Sequence, residues 1–579
     1  MSTSAGTSSI DVGSTDELQQ QQVRVVSAGG HVIALFWNDG EVYAVDNRCP
    51  HMGFPMTKGS IADGILTCHW HHARFELAGG CTFDPFADDL PTFPVRVEDG
   101  RILIEPTPVG REAPAVHWFP KLVLGLEQNL PLVLAKSVVA LEEVGEQQGI
   151  LEEAARFGVR NRAAGWSAGL SILTCVANIQ DVLAPSDRAR ALYHGVVQVA
   201  RDTENRPPDF DLDPLVTHED SPGVFRSWFR RFAETRSADA AERTLRTAIT
   251  NGLTPAEIAD LLFAASTDHL FMDEGHTLDF ANKACELLDH IGWEHAAEVL
   301  PSLIPPLINS SRSEESSSWR HPVDIPALLR DAGPAFQEAL KVGGGRLTGW
   351  DGHRALAETI LDAEPRESLD AIVSAARDGA PLTELSAAVA YAAARRPVHF
   401  HVSNEFGDWD TIHHTFTYTN AVDQALRRAP SPELARGVLD GAMSVYLERF
   451  LNVPKQRIPK ANSAVASAEA LLSEFDRQQR VDETAQIVTD MLAGDDHSEV
   501  IALLGHALLR EDAGFHMFQI YEAAVRQYGN FAGRPEGDHI LVGGARFLTA
   551  HAPTVRARGQ TFDIASRLHR GEALHGDEV

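Results

Sequence analysis

With 579 residues the chain is too long for one hydrophobic core, and about three or four structural units are expected. A formal net charge of −31 argues against nucleic acid or an anionic membrane as a partner, and no segment approaches the roughly eighteen apolar residues of a membrane span. A soluble, cytoplasmic protein is the expectation.

Residues 1–22 are rich in Ser, Thr and Gln, without a basic start and apolar core, and read as a disordered lead-in, not a signal peptide. From residue 23 the pattern predicts strands: Val32 to Trp37, the turn Asn38-Asp39-Gly40, then Val42 to Val45. Next come Cys49-Pro50-His51, sixteen residues, and Cys68-His69-Trp70-His71. Ile65-Leu66-Thr67 leads into the second pair, and Pro94-Val95-Arg96-Val97 with Ile102-Leu103-Ile104 completes a small all-β unit. Two thiolates and two imidazoles, one of each per arm, suit a [2Fe–2S] cluster with two Cys on one iron and two His on the other. A zinc site of two Cys and two His is the alternative, although a zinc finger usually separates its Cys pair from its His pair.

On these residues, positions 23–106 resemble the Rieske ferredoxin family, over about a seventh of the chain. The resemblance implies that Cys49, His51, Cys68 and His71 are the cluster ligands. One departure is His72, where the family usually has Gly after the second ligand His. The respiratory members carry an extra Cys in each loop, joined as a disulfide; those positions fall at Phe54 and Trp70 here. The ferredoxin or oxygenase type is therefore implied, toward the bottom of the Rieske range of roughly −150 to +300 mV. The other thiols, Cys81, Cys175 and Cys285, read as small buried residues in a reducing compartment.

Past a linker at 107–116 the composition shifts to Ala, Leu, Glu and Arg with helical periodicity. The fold class expected is multidomain α+β: the small β unit, then a large all-α helical-repeat domain. Its halves are placed at 117–305 and 323–570, with a Ser-rich break at 306–322 between them and a tail at 571–579. The halves echo one another: Gly275-His276-Thr277 through Asn282 parallels His413-His414-Thr415 through Asn420, and a fainter copy reaches His516.

The repeat places imidazoles and carboxylates at matching helix ends, where several such groups would bind non-haem iron, mono- or dinuclear. The candidates are His276 and His414, then His269 and His516, with His401 and Glu511 behind them; Asn282 and Asn420 are candidate hydrogen-bonding supports. Solvated helix caps and core histidines are the competing explanation. The Asp-x-x-His-x-x-x-x-His stretch of Rieske ring-hydroxylating oxygenases is not matched: Asp410-Thr411-Ile412-His413 is followed by Tyr418 at the second His position. The helical part bears a weak resemblance to questin-oxidase-like proteins, which implies oxygen insertion. No dinucleotide or phosphate-binding motif is present, so an external reductase or ferredoxin is the expected partner, with a small organic substrate and O2. A homo-oligomer is expected if the linker cannot bring the domains together within one chain. Two functions follow: an oxygenase-like oxidoreductase, or an electron-transfer or redox-sensing protein whose helical part docks a partner without metal.

Overall fold

Strand His31–Asn38 serves two cores at once: Ile33 and Leu35 enter one, Ala34 and Phe36 the other. Burial on both faces is why its sequence reads as a continuous apolar run. Asn38 pairs with Glu41 across a two-residue turn, Asp39 and Gly40, whose φ angles of 48° and 87° are those of the twisted hairpin turn. In this computed structural model, which describes residues 9–109, 113–161, 164–462, 466–494, 496–572 and 574, the β part consists of three antiparallel three-stranded sheets. One joins Ile10–Ser14, Arg101–Ile104 and Val95–Glu98; a second Val23–Ala28, His31–Asn38 and Glu41–Asp46; a third Ser60–Ala62, Ile65–Thr67 and Arg74–Glu76. Cys49 and Cys68 lie in the second core, among Met56, Leu66, Phe75 and Leu90.

The expectation of disorder through residue 22 is corrected. Ile10–Ser14 pairs with Arg101–Ile104, Ser14 caps the helix Thr15–Gln21, and Leu18 of that helix is fully buried. Composition missed this because the partner strand lies some ninety residues away in sequence. Residues 1–8 lie outside the described residues, as do 110–112 of the expected linker and 573 and 575–579 of the expected tail.

The boundary before the helical part also moves. One unit holds the described residues up to Ile150 and those from Arg558 on; the other is Leu151–Ala557. Helices Pro114–Glu127 and Pro131–Glu143 thus belong with the sheets, where His117 Nε2 meets Asp88 Oδ1 at 2.9 Å. His569 Nε2 reaches Glu143 in the same unit, at 2.6 Å. Helical periodicity tells which residues turn inward, not which neighbour covers them.

The second unit is helical. His276–Ile291 packs against Ala168–Ile179, Pro255–Ser266 and Phe406–Arg428; the last also packs against Leu382–Val398, Pro432–Leu447 and Phe515–Asn530. Leu382–Val398 is buried almost throughout, as a helix surrounded by others must be. Pro255–Ser266 begins with the capping box Thr254/Glu257, whereas Leu382–Val398 has none. The Ser-rich segment does not separate two bodies: Ser310 is buried and Asp273 N donates to Ser311 O at 3.0 Å. Its hydroxyls satisfy nearby backbone groups, which lets a polar run fold against its neighbours. Among the described residues no helix is long and apolar enough to cross a membrane.

Candidate functional site

Two loops present the sulfur and imidazole groups. Each closes on itself: Cys49 N donates to Phe54 O at 2.8 Å, Gly53 N to Cys49 O at 2.7 Å, and Cys68 N to Ala73 O at 2.9 Å. Gly53 at φ 74° and His72 at φ 61° make the left-handed turns this requires. The two thiols are buried and share a hydrogen bond. That bond, aided by the amides of Trp70 and His71, brings the Cys68 thiol down to about 6; sharing it and burial push Cys49 far up. The His51 and His71 rings stand edge to face, 4.8 Å between centroids. Burial, with the nearby Lys136 charge, holds His51 at about 4, and its Nδ1 is buried with no hydrogen-bond partner among the described residues. Two adjacent sulfurs and an orphaned imidazole nitrogen fit a metal centre bound through both residue types.

His71 and Trp70 are exposed while His51 is half-buried, so the solvent edge lies on the second loop. The Phe54 and Trp70 rings, 5.9 Å apart, stand where the resemblance would place a disulfide in respiratory members. Lys136, buried within Pro131–Glu143, donates Nζ to the carbonyls of Pro50 and His51, the latter at 2.8 Å. Desolvation brings it down to about 8. Nothing in its helical context marks this lysine in sequence. Cys81 is exposed, contrary to its expected burial, while Cys175 and Cys285 are buried.

A second cluster lies in the helical unit. His276, His414 and His516 come from three different helices and offer ligand atoms all within 4.8 Å of one another. Ring centroids are 4.6 Å apart for His276 and His414, 4.9 Å for His414 and His516, and 6.0 Å for His276 and His516. His276 opens its helix after a corner in which Phe271, Asp273 and Glu274 all have positive φ, strain that costs of order 1–2 kcal/mol per residue. The corner sets Glu274 against His414 Nδ1 at 3.1 Å, and Asp410 Oδ1 meets His516 Nδ1 at 2.9 Å. A carboxylate accepts only if Nδ1 carries the proton, so a neutral ring there keeps a lone pair on Nε2. Those two Nε2 atoms face each other at 3.2 Å. Burial and the neighbouring imidazoles lower His276 to about 3 and lower His516 too. Phe280 and Phe515 wall the His276 side.

Beneath the imidazoles lies a buried polar layer. Gln519 accepts from His413 Nε2 at 3.1 Å and donates to Asp279 at 2.5 Å; burial raises Asp279 to about 7. Lys283 bridges Glu286 and Glu522 at 2.9 and 2.8 Å. Asn282 bonds Glu286 and Asn420 bonds Gln527, so both support this layer.

His269 is corrected as a member of the set: its two ring nitrogens engage Glu314 and Glu234, away from the three histidines. It lies in the bend after Pro255–Ser266, near the expected corner, but sequence could not show which way the ring turns. His401 bonds Ser403, and Glu511 is tied to Thr554 and Arg556. Glu274 and Asp410, which orient two rings, belong to the carboxylates expected beside the histidines at those helix ends, but their part in holding Nδ1 was not expected.

Paired loops on a small antiparallel β domain, offering sulfur to one side and imidazole to the other, describe an iron–sulfur protein of mixed ligation. The family profile "Rieske [2Fe-2S] domain" matches residues 8–94. The ferredoxin component of an alkene monooxygenase system from Xanthobacter autotrophicus is 34% identical over 107 residues, 18% of this chain and 88% of the relative. The ferredoxin component of the naphthalene 1,2-dioxygenase/salicylate 5-hydroxylase systems of a Ralstonia species is 33% identical over 17% of this chain and 93% of the relative. The solved ferredoxin of carbazole 1,9a-dioxygenase from Nocardioides aromaticivorans is 21% identical, with a TM-score of 0.17 over 17% of this chain and 99% of that one. Through its N-terminal domain the chain belongs to the Rieske [2Fe–2S] family.

Proposed function

We propose that this chain is an oxygenase-like oxidoreductase. Cys49, His51, Cys68 and His71 hold the [2Fe–2S] cluster, and His276, His414 and His516 hold an iron ion that draws on its electrons. The observation that carries the second half is the pair of Nε2 atoms 3.2 Å apart, each on a ring whose Nδ1 is held by a carboxylate. Two facing lone pairs repel unless a proton or a metal ion lies between them, and a metal ion satisfies both at once. The carboxylate–histidine pairing is the arrangement that fixes tautomer and direction in metal-binding imidazoles. Zinc would suit three imidazoles equally well, but a chain carrying a one-electron donor has use for a redox metal.

A bound iron supplies one-electron redox chemistry at the three imidazoles. The chain's own part is to orient those rings through Glu274 and Asp410 and to wall the His276 side with Phe280 and Phe515. A separate reductase or ferredoxin delivers the electrons, as the relatives are named components of multi-part systems. The substrate class is a small organic molecule with O2; hydroxylation balances as one O2, two electrons and two protons giving one hydroxyl group and one water. The cytoplasm suits the exposed, unbridged Cys81.

Iron analysis on the purified protein tests this. More than two irons per chain are expected, falling to two in the His276→Ala/His414→Ala double variant while the visible absorption of the cluster stays. Two irons in both proteins would leave the helical unit as a docking module of an electron-transfer protein.

A further inference from the structure

A cleft in the helical unit belongs to neither centre. It measures about 540 Å³, within the range of small-molecule sites. Leu270, Pro326, Leu329, Pro334, Pro432 and Leu439 supply apolar wall. Most of the charge around it is already neutralised: Asp268 pairs with Arg230 and Arg436, Glu433 with Arg226 and Arg230, and Glu314 with His269. One buried carboxyl oxygen is not satisfied. Asp440, on Pro432–Leu447, lines the cleft, is only 2% exposed, and its Oδ2 has no hydrogen-bond partner among the described residues. A buried carboxyl oxygen without a partner costs about 1–3 kcal/mol, which an occupant's hydrogen bond would recover.

We propose that this cleft binds an uncharged, mainly apolar molecule bearing a hydroxyl group, which pairs with Asp440. A hydroxyl both donates and accepts, so it satisfies the carboxyl group in either protonation state. Burial raises Asp440 to about 8, so near neutral pH it is largely the uncharged acid. An anion gains nothing there, since the buried carboxyl would repel it once ionised. Tyr418, which donates its hydroxyl toward the Asp440 carboxyl and leaves Oδ2 open, lies one helical turn after His414 and packs against Gly275, the residue before His276. The occupant is thereby placed as a substrate for the imidazole centre. That role rests on the iron reading, whereas the binding itself does not.

Fluorescence titration with 2-naphthol tests the binding directly, with 2-methoxynaphthalene and 2-naphthoate as controls lacking the donor and carrying a charge. Wild-type protein is expected to prefer 2-naphthol roughly tenfold over both, the worth of one good hydrogen bond. Asp440→Asn keeps the preference over 2-methoxynaphthalene, because an amide also donates and accepts; Asp440→Leu abolishes it. Circular dichroism establishes that each variant is folded. Should Asp440→Leu fail to fold, Leu329→Trp fills the cleft from its wall and is expected to remove 2-naphthol binding. Equal affinity for the three probes, no binding to the wild type, or unchanged binding in Leu329→Trp would each overturn the proposal. Because no readout here depends on iron, failure of the binding and failure of the metal centre are separable.

Discussion

His72 sits at φ 61°, a region glycine enters freely and other residues enter at a cost of roughly 1–2 kcal/mol. Glycine there would relieve that strain but lose about 0.5–1 kcal/mol through the greater freedom of the unfolded chain. His72→Gly is therefore expected to stabilise the β domain by about 0.5–1 kcal/mol in chemical denaturation, with the visible absorption unaltered. A loss of stability instead would mean that the His72 side chain makes a contact that outweighs its backbone strain. The departure from the family pattern was plain in sequence; the physical strain behind it needed the dihedral angle. At this scale the meeting of Cys49 with Cys68 and of His51 with His71 was legible in their spacing, because two short loops impose local spacing. Lys136, Glu274 and Asp410 were not, since each acts on a group far away in the chain or through its orientation alone.

Among the elements, strand Ile10–Ser14 and helix Thr15–Gln21 show where local reading fails. Five residues of mixed polarity carry little strand signal of their own, and their pairing with Arg101–Ile104 supplies what is missing. Leu18 is the anchor, buried with Ile33, Leu35 and Phe93. Leu18→Ala is expected to cost about 2–4 kcal/mol, measured by denaturant unfolding of the holoprotein. A change below about 0.5 kcal/mol would mean that the helix does not pack there in solution. The three histidine-bearing helices give the opposite lesson. Matching His-Thr segments pointed to His276 and His414, and helices that pack on one another do bring them together with His516. His269 stood level with His516 among the candidates, yet its ring faces Glu234 and Glu314.

Over the whole helical unit, two sets of buried groups pull stability in opposite directions with pH. Burial raises Asp279 to about 7 and Asp440 and Glu448 to about 8, so the folded state holds protons that the unfolded chain releases near pH 4. Their contribution is greatest in acid and is lost as pH rises through 7 to 8. Burial lowers His276 to about 3 and His399 and His539 to about 4, and His413 is also well below its ordinary value. The unfolded chain takes up those protons first, so that contribution is lost as pH falls below about 6.5. Calorimetry of the metal-free protein is expected to find the highest melting temperature near pH 6.5, falling on both sides. A melting temperature that climbs steadily from pH 6.5 to 8.5 would contradict the burial of the three acids.

From sequence alone came the β-then-helical order, the four sulfur and imidazole positions, and a short set of histidines for a second site. Those features rest on spacing, periodicity and composition, which act between near neighbours and so survive in a one-dimensional reading. Tertiary structure alone decided the rest: which helices join the sheets, that residues 10–21 complete the β domain, which imidazoles meet, and that one oxygen of the buried Asp440 has no partner among the described residues. Each depends on which distant surface covers an apolar face or satisfies a polar atom. That choice is made by the packing of the folded chain as a whole.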